Sequence, residues 1–250
     1  MNQLKAVFKL LFAVLHIASG FVTVLWVFPR LSHEQRQIRV QAWSRGMLRR
    51  MGIELVVKGN PYLPGPLMLV ANHISWLDIT SLHAARFCRF VSKADVAHWP
   101  LIGRLATGIG TLYLERASRR DAMRVVHHMA SSLREGDVLG VFPEGTTSDG
   151  SKPLQFHANL FEAAIVANAP VQPVALRFMH RSTGEISSAP RFIHDDTLMG
   201  SVWRTLVTPG ITVMITFGEL QWAEGRDRRT WAAALQQEVV SLRDQLHFPS

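Results

Sequence analysis

From Leu10 to Phe28 the chain has no Lys, Arg, Asp or Glu in 19 consecutive residues. As a helix that run would be roughly 28 Å long, close to the hydrocarbon thickness of a bilayer. It is long enough to span, although His16, Ser19, Gly20 and Thr23 dilute it, and it can instead lie shallowly in one leaflet. Basic residues stand at both ends, so charge assigns no orientation. Lys5 and Lys9 resemble the start of a cleaved signal peptide, but no small-residue cleavage site follows, which favours a retained anchor. Further on, Val40, Trp43, Met47 and Met51 recur at helical spacing while Arg36, Arg39, Arg45, Arg49 and Arg50 supply charge. That pattern describes an amphipathic helix with tryptophan at its boundary, either lying on a membrane or covering a protein core.

The pattern changes near Ile53. Ile53–Lys58 alternates as a strand, Gly59-Asn60-Pro61 makes a turn, and Leu67–Ala71 is a short apolar strand introduced by Pro64-Gly65-Pro66. A helix over Asp78–Ala85, a strand over Arg89–Ser92, a helix over Leu101–Thr107 and a strand over Thr111–Glu115 are expected next. Between Arg119 and Arg134, the residues Ala122, Val126, Met129, Ala130 and Leu133 share one face and Gly136 supplies the stop, which predicts a helix. Strand Val138–Phe142, helix Phe161–Ala167, strands Val171–Phe178 and Ile211–Phe217, and a terminal helix Arg229–Leu246 complete the series. Strands alternating with helices imply an α/β fold. The reading is a single layered domain over residues 53–250, with a central mixed sheet flanked by helices, behind an N-terminal membrane-associated helical segment over residues 1–52.

At 250 residues the chain is long enough to bury a sizeable core. A hydrophobic content of 48% and a mean hydropathy of +0.10 are high for a freely soluble protein. Cys88 is the only cysteine, so no intramolecular disulfide is possible, and its apolar setting reads as core filling. A net charge of +8 and a pI near 10.5 raise nucleic acid as a partner. However, residues 1–60 hold nine of the Lys and Arg residues against only Glu34 and Glu54. Charge gathered around an apolar run favours an anionic membrane surface, with no nucleic acid as partner.

Chemistry is expected at Asn72-His73-Ile74-Ser75-Trp76-Leu77-Asp78, where the Leu67–Ala71 strand ends, because α/β folds place ligands at strand ends. In an unbroken helix residues five apart differ by roughly 140° in direction, so His73 and Asp78 meet only across a turn. Where they meet, the carboxylate fixes the imidazole tautomer and leaves the other nitrogen to take a proton from a hydroxyl. A second candidate is Phe142-Pro143-Glu144-Gly145-Thr146-Thr147-Ser148-Asp149-Gly150, a polar, glycine-bearing turn whose amides and hydroxyls can surround an anionic oxygen. His127 and His128 point in different directions on their helix, so no metal site is expected there. The chain has no G-x-S-x-G elbow, which argues against a serine hydrolase.

Four blocks in order now resemble a known family. They are Asn72-His73 with Asp78, then Gly110-Thr111-Leu112-Tyr113-Leu114-Glu115-Arg116, then Phe142-Pro143-Glu144-Gly145-Thr146, then Val171-Gln172-Pro173-Val174-Ala175. Together, over about residues 50–220, they look like the glycerolipid acyltransferase family typified by 1-acylglycerol-3-phosphate O-acyltransferases. The resemblance implies transfer of a fatty acyl group from a thioester co-substrate, acyl-carrier protein or coenzyme A, to the hydroxyl of a lysophospholipid. The favoured acceptor is 1-acyl-sn-glycerol 3-phosphate, giving phosphatidic acid, with no metal or cofactor, at the cytoplasmic face of the inner membrane. By the same resemblance His73 is the general base and Asp78 its orienter, while Asn72, Arg116, Glu144, Gly145 and Thr146 bind the substrate. Glu144 would hold a glycerol hydroxyl or position Arg116 and the loop. Lys93 matches a lysine that the family often has between its first two blocks; it would face the thioester carbonyl and stabilise the oxyanion, or stand as a solvated lysine.

One departure matters. Where the third block often carries an arginine after F-P-E-G-T, this chain has Thr147, which removes a cation from the headgroup site. Relatives that acylate other lyso-lipids, such as lyso-ornithine lipid, carry similar blocks, so that acceptor stays open. A non-catalytic lipid-binding membrane protein is the rival from another class, and intact His73, Asp78 and Arg116 argue against it.

Overall fold

The computed structural model describes residues 2–114, 119–151, 154–193 and 196–247. Helix α1 (Asn2–Val22), a π-helical turn (Thr23–Val27) and a 3-10 turn (Phe28–Arg30) lead to helix α2 (His33–Met51). Strand β1 (Glu54–Lys58), strand β2 (Leu67–Ala71), helix α3 (Leu77–Ala85) and strand β3 (Arg89–Lys93) follow. Then come helix α4 (Ile102–Gly108), strand β4 (Leu112–Leu114), helix α5 (Arg119–Arg134) and strand β5 (Val138–Val141). The chain ends with helix α6 (Glu162–Ala167), strand β6 (Val171–His180), helix α7 (Leu198–Val207), strand β7 (Ile211–Phe217) and helix α8 (Arg228–Asp244).

All seven strands join one sheet in the order β1-β7-β6-β2-β5-β3-β4. From β6 to β4 neighbouring strands are parallel; β7 is antiparallel to β6 and β1 is parallel to β7, so the sheet is mixed. Every residue of β2 is apolar and buried, so both faces need cover. Because side chains alternate along a strand, Leu67, Leu69 and Ala71 pack with Met47, Leu48 and Met51 of α2, Leu77 and Leu82 of α3, and Leu206 of α7. Met68 and Val70 face the opposite way, onto Met129 and Leu133 of α5, Ala163 of α6, and Trp231 and Leu235 of α8. The parallel strands β2, β5, β3 and β4 all bring their C-terminal ends to one edge of this sandwich.

The N-terminal helix begins at Asn2 and gives way to a π turn and a 3-10 turn that ends at Arg30. Later strands and α-helices differ from the sequence expectation by no more than two residues at their ends, except for one added helix. Strand β6 runs on to His180, because antiparallel pairing with β7 continues as far as His180↔Ile211. Helix α7 was not expected; Thr197 caps it, its hydroxyl accepting from the Gly200 N–H at 3.1 Å.

Helix α2 starts at a capping box, Ser32 with Gln35, and stops at Gly52, whose φ of 75° suits glycine. Its apolar stripe, Met47, Leu48 and Met51, faces the sheet and belongs to the same core as β2, so of the two readings for this helix it covers a protein core. Arg39, Arg49 and Arg50 are turned to the outside. Ala6 and Ala13 of α1 are buried in that core too, so packing is continuous across residue 52. A reciprocal lock joins α1 to α2. The His16 ring stacks on Trp43 with centroids 4.8 Å apart, its Nε2 lies 2.8 Å from the Trp43 carbonyl, and the Trp43 indole N–H donates to the His16 carbonyl at 3.0 Å. The other side of α1 exposes Leu4, Phe8, Leu11, Phe12 and Leu15. Residues Gln3–Arg30 are long and apolar enough to cross a bilayer, but α1 rests lengthwise on α2 and α7.

Glycine at position 20 permits this contact, since a Cβ there would lie 2.7 Å from the Trp43 indole nitrogen. Gly20→Leu is therefore expected to destabilise the protein by about 1–3 kcal/mol through overpacking. The check is the denaturant midpoint, with Ala18→Leu on the exposed side of α1 as the comparison; equal midpoints for the two variants would refute the lock.

Candidate active site

The sheet edge is built from the ends of β2 and β5. Asn72, directly after β2, donates its side-chain amide to the Leu176 carbonyl at 3.0 Å and accepts from the Leu176 N–H at 2.8 Å. Asn72, expected to bind substrate, has its side-chain amide hydrogen-bonded in both directions to Leu176 of β6. It extends the β2–β6 pairing by one side chain and so fixes where His73 leaves the sheet.

The turn 74–76 then brings the chain into α3, and Asp78 in its first turn comes back to His73. Asp78 is fully buried; its Oδ2 accepts from His73 Nδ1 at 2.8 Å, from the Ile74 N–H at 2.7 Å and from the Ser75 N–H at 2.8 Å. The other oxygen, Oδ1, is buried without a hydrogen-bond partner among the described residues. With Nδ1 donating to the carboxylate, the neutral imidazole presents an acceptor at Nε2. The His73 side chain is 17% exposed, and Nε2 has no protein partner among the described residues.

The loop after β5 wraps His73 from the other side. Glu144 Oε1 accepts from the His73 N–H at 3.0 Å, and the Ser148 N–H donates to the His73 carbonyl at 2.9 Å. Gly145 turns the loop at φ 73°, its N–H donating to the Phe142 carbonyl, in a conformation that favours glycine. Thr146 is exposed on this turn, whereas the Thr147 hydroxyl donates to the Phe192 carbonyl. Glu144 is 5% exposed and its Oε2 is buried without a partner among the described residues. Its hydrogen bond with the His73 N–H is to main chain, which is the loop-bracing geometry. Burial pushes the Glu144 carboxyl up to about 7, against the opposing pull of the His73 N–H.

That carboxyl makes stability depend on pH. Its folded-state value lies above the ordinary 4.5, so its contribution is complete below about 4.5 and is lost as pH rises through about 7. Ionising it in the folded protein costs on the order of 3 kcal/mol. The denaturant midpoint is expected to fall between pH 5 and pH 8, and to fall less in Glu144→Gln; matching slopes would rule the assignment out.

Lys93 ends β3, pairs with Leu114, and is exposed at the same sheet edge, with no hydrogen bond or ion pair among the described residues. Arg116 lies outside the described residues. His127 and His128 are both exposed on α5, and among the described residues no three His, Cys, Asp or Glu side chains are grouped to hold a metal ion.

A profile of the family described as Acyltransferase matches residues 54–177, the stretch that carries His73, Asp78, Lys93 and Glu144. Over 185 residues the chain is 34% identical to the 1-acyl-sn-glycerol-3-phosphate acyltransferase of Neisseria meningitidis, covering 74% of this chain and 72% of that one. The chain belongs to the acyltransferase family. This acyltransferase is also 36% identical over 204 residues to the lyso-ornithine lipid O-acyltransferase of Pseudomonas aeruginosa, 82% of this chain and 78% of that one. Its fold matches the crystal structure of the 1-acyl-sn-glycerophosphate acyltransferase PlsC from Thermotoga maritima, with a TM-score of 0.68 and 19% identity over 98% of each chain. The acyltransferase is an O-acyltransferase enzyme.

Within and beyond the stretches singled out from the sequence, three contacts of the candidate site of this acyltransferase were not foreseen. One is the Phe142 ring, which lies flat against His73 with centroids 4.1 Å apart. Another is Ser148, whose amide holds the His73 carbonyl. The third is the strap between β6 and α7, where the Phe192 N–H donates to the Ile74 carbonyl at 3.2 Å and the Ser75 hydroxyl donates to the Pro190 carbonyl. The strap has no periodicity to read, and its polar anchors are scattered singly.

Proposed function

We propose that this enzyme moves a fatty acyl group from a thioester, acyl-carrier protein or coenzyme A, to the free hydroxyl of a lysophospholipid at a membrane surface. The supporting observation is the 2.8 Å contact between His73 Nδ1 and Asp78 Oδ2, which leaves Nε2 open at the sheet edge. Nε2 takes the hydroxyl proton as the oxygen adds to the thioester carbonyl, and Asp78 stabilises the imidazolium that forms. The tetrahedral oxyanion collapses, the carbon–sulfur bond breaks, and the leaving sulfur takes the proton from His73. Lys93, whose side chain has no hydrogen bond or ion pair among the described residues, is our candidate donor to the oxyanion. Direct attack is favoured over an acyl-enzyme because the Ser75 hydroxyl is engaged by the Pro190 carbonyl and the Leu77 N–H.

For the acceptor we favour 1-acyl-sn-glycerol 3-phosphate, in line with the Neisseria relative. A lyso-ornithine lipid is the second reading. Thr147 supplies no cation, and a Brucella abortus protein named for that activity is 30% identical over 94% of this chain and 93% of its own. The exposed apolar side of α1, with basic Lys5, Arg49 and Arg50 nearby in sequence or on α2, fits an anionic leaflet, which we assign to the cytoplasmic face of the inner membrane. The test is product analysis with purified protein, both lyso-lipids and both donors; no acylated product from any pair would refute the function. With a phosphate-bearing acceptor, Arg116→Ala is expected to raise the acceptor KM roughly ten- to hundredfold, the scale of a lost charge-assisted hydrogen bond, and to leave the donor KM nearly unchanged.

A further inference from the structure

An imidazole held at one ring nitrogen can still rock about that hydrogen bond, because rotation of a histidine ring about its last torsion is broad. Asp78 holds His73 at Nδ1 only. The plane of the ring is set by something else. Phe142 lies against it at 4.1 Å between centroids with the two planes 10° apart. Behind Phe142 the Phe90 ring continues the stack at 5.4 Å and 11°, and His83 closes on Phe90 edge to face at 4.8 Å.

The column exists because of sheet order. Phe142 directly follows β5, and β5 lies between β2, whose end leads to His73, and β3, which carries Phe90. Phe90 is opposite Gly140 in the β3–β5 register, and a Cβ on Gly140 would lie 3.0 Å from the Phe90 ring and 2.6 Å from the Cys88 sulfur. Glycine there lets Phe90 settle over the strand and back the Phe142 ring. His83 and Cys88 are buried, so the base of the column has no room to shift.

We infer that Phe142 is a positioning residue for the general base: its ring fixes the plane of the His73 imidazole, and so the direction in which Nε2 meets the acceptor hydroxyl. This rests on His73 acting as the base. Asp78 sets which nitrogen is free, and Phe142 sets where that nitrogen points. Misplacement of a reacting atom by about 1 Å is worth roughly a hundredfold in rate, so losing the ring face should reduce kcat more than substrate binding.

Full-length protein carrying isotope-labelled histidine tests this, with His73→Ala identifying the His73 signals. In the unmodified protein the His73 ring protons are expected well upfield of an exposed histidine because they lie over the Phe142 face; ordinary positions would overturn the inference without any variant. Phe142→Leu should move those signals downfield and lower kcat about ten- to hundredfold, with acceptor KM changed less than about threefold. Phe142→Tyr, which keeps the ring face, should restore both. A Phe142→Leu protein that folds and turns over normally would overturn the inference, and so would a loss confined to KM, or a Phe142→Tyr protein as impaired as Phe142→Leu. Should His73→Ala itself retain turnover, the base assignment fails, and that result is separate from whether the ring signals respond to Phe142.

Discussion

His73→Ala is expected to lower turnover by about 10²–10⁴-fold, the usual contribution of a positioned general base. Folding should survive, because the side chain is at the edge of the sheet and its Nε2 supports nothing else among the described residues. Two main-chain anchors of the same residue, to Glu144 and Ser148, do not need the imidazole and remain in the variant. Lyso-lipid binding should therefore be nearly intact. Rates measured beside a lyso-lipid binding assay and a denaturation curve separate the chemical loss from a structural one. Substantial turnover by a folded His73→Ala protein would remove the mechanism and bring a lipid-binding protein, or a different base, to the front.

Asp78→Asn is expected to cost nearly as much, up to about 10⁴-fold, although it changes one atom. In the folded protein a single carboxylate oxygen serves His73 Nδ1 and the Ile74 and Ser75 amides together. An asparagine oxygen can keep the two amides but brings no charge to stabilise the imidazolium. Should its NH2 turn to His73, it forces the proton onto Nε2 and removes the acceptor that the reaction needs. The double variant with His73→Ala should be little worse than His73→Ala alone, because the two side chains act as one unit. Fully additive losses would mean that Asp78 works apart from the histidine, as an anchor for the start of α3.

Local pattern carried much of this architecture. Strand β2 is found over Leu67–Ala71 as read, since an apolar run bounded by Pro and Gly has few other solutions. Helix α5 spans Arg119–Arg134 as read, because a periodic apolar face and Gly136 mark its end. The His73–Asp78 pair was legible because five residues across a strand-to-helix turn make a local problem. What depended on distant partners was not legible. Asn72 beside a candidate base reads like a ligand donor until β6 is known to lie against it. The apolar stripe of α2 fits a bilayer and a protein core equally well, since both offer the same low-polarity medium. The Phe142 stack required knowing that β5 lies next to β2, a fact of sheet order that no spacing in the chain encodes.

The sheet order also governs how the protein is made. Among the described residues strand β1 pairs with β7 alone, and Glu54 meets Thr212 across 158 positions of chain. At about 5–20 residues per second of synthesis, β1 waits unpaired for roughly ten to thirty seconds after it is translated. During that interval α1 has already been translated, and the side of it that packs on α7 waits for that helix as β1 waits for β7. Moving β1 to the C-terminal side of β7 by circular permutation would abolish the wait.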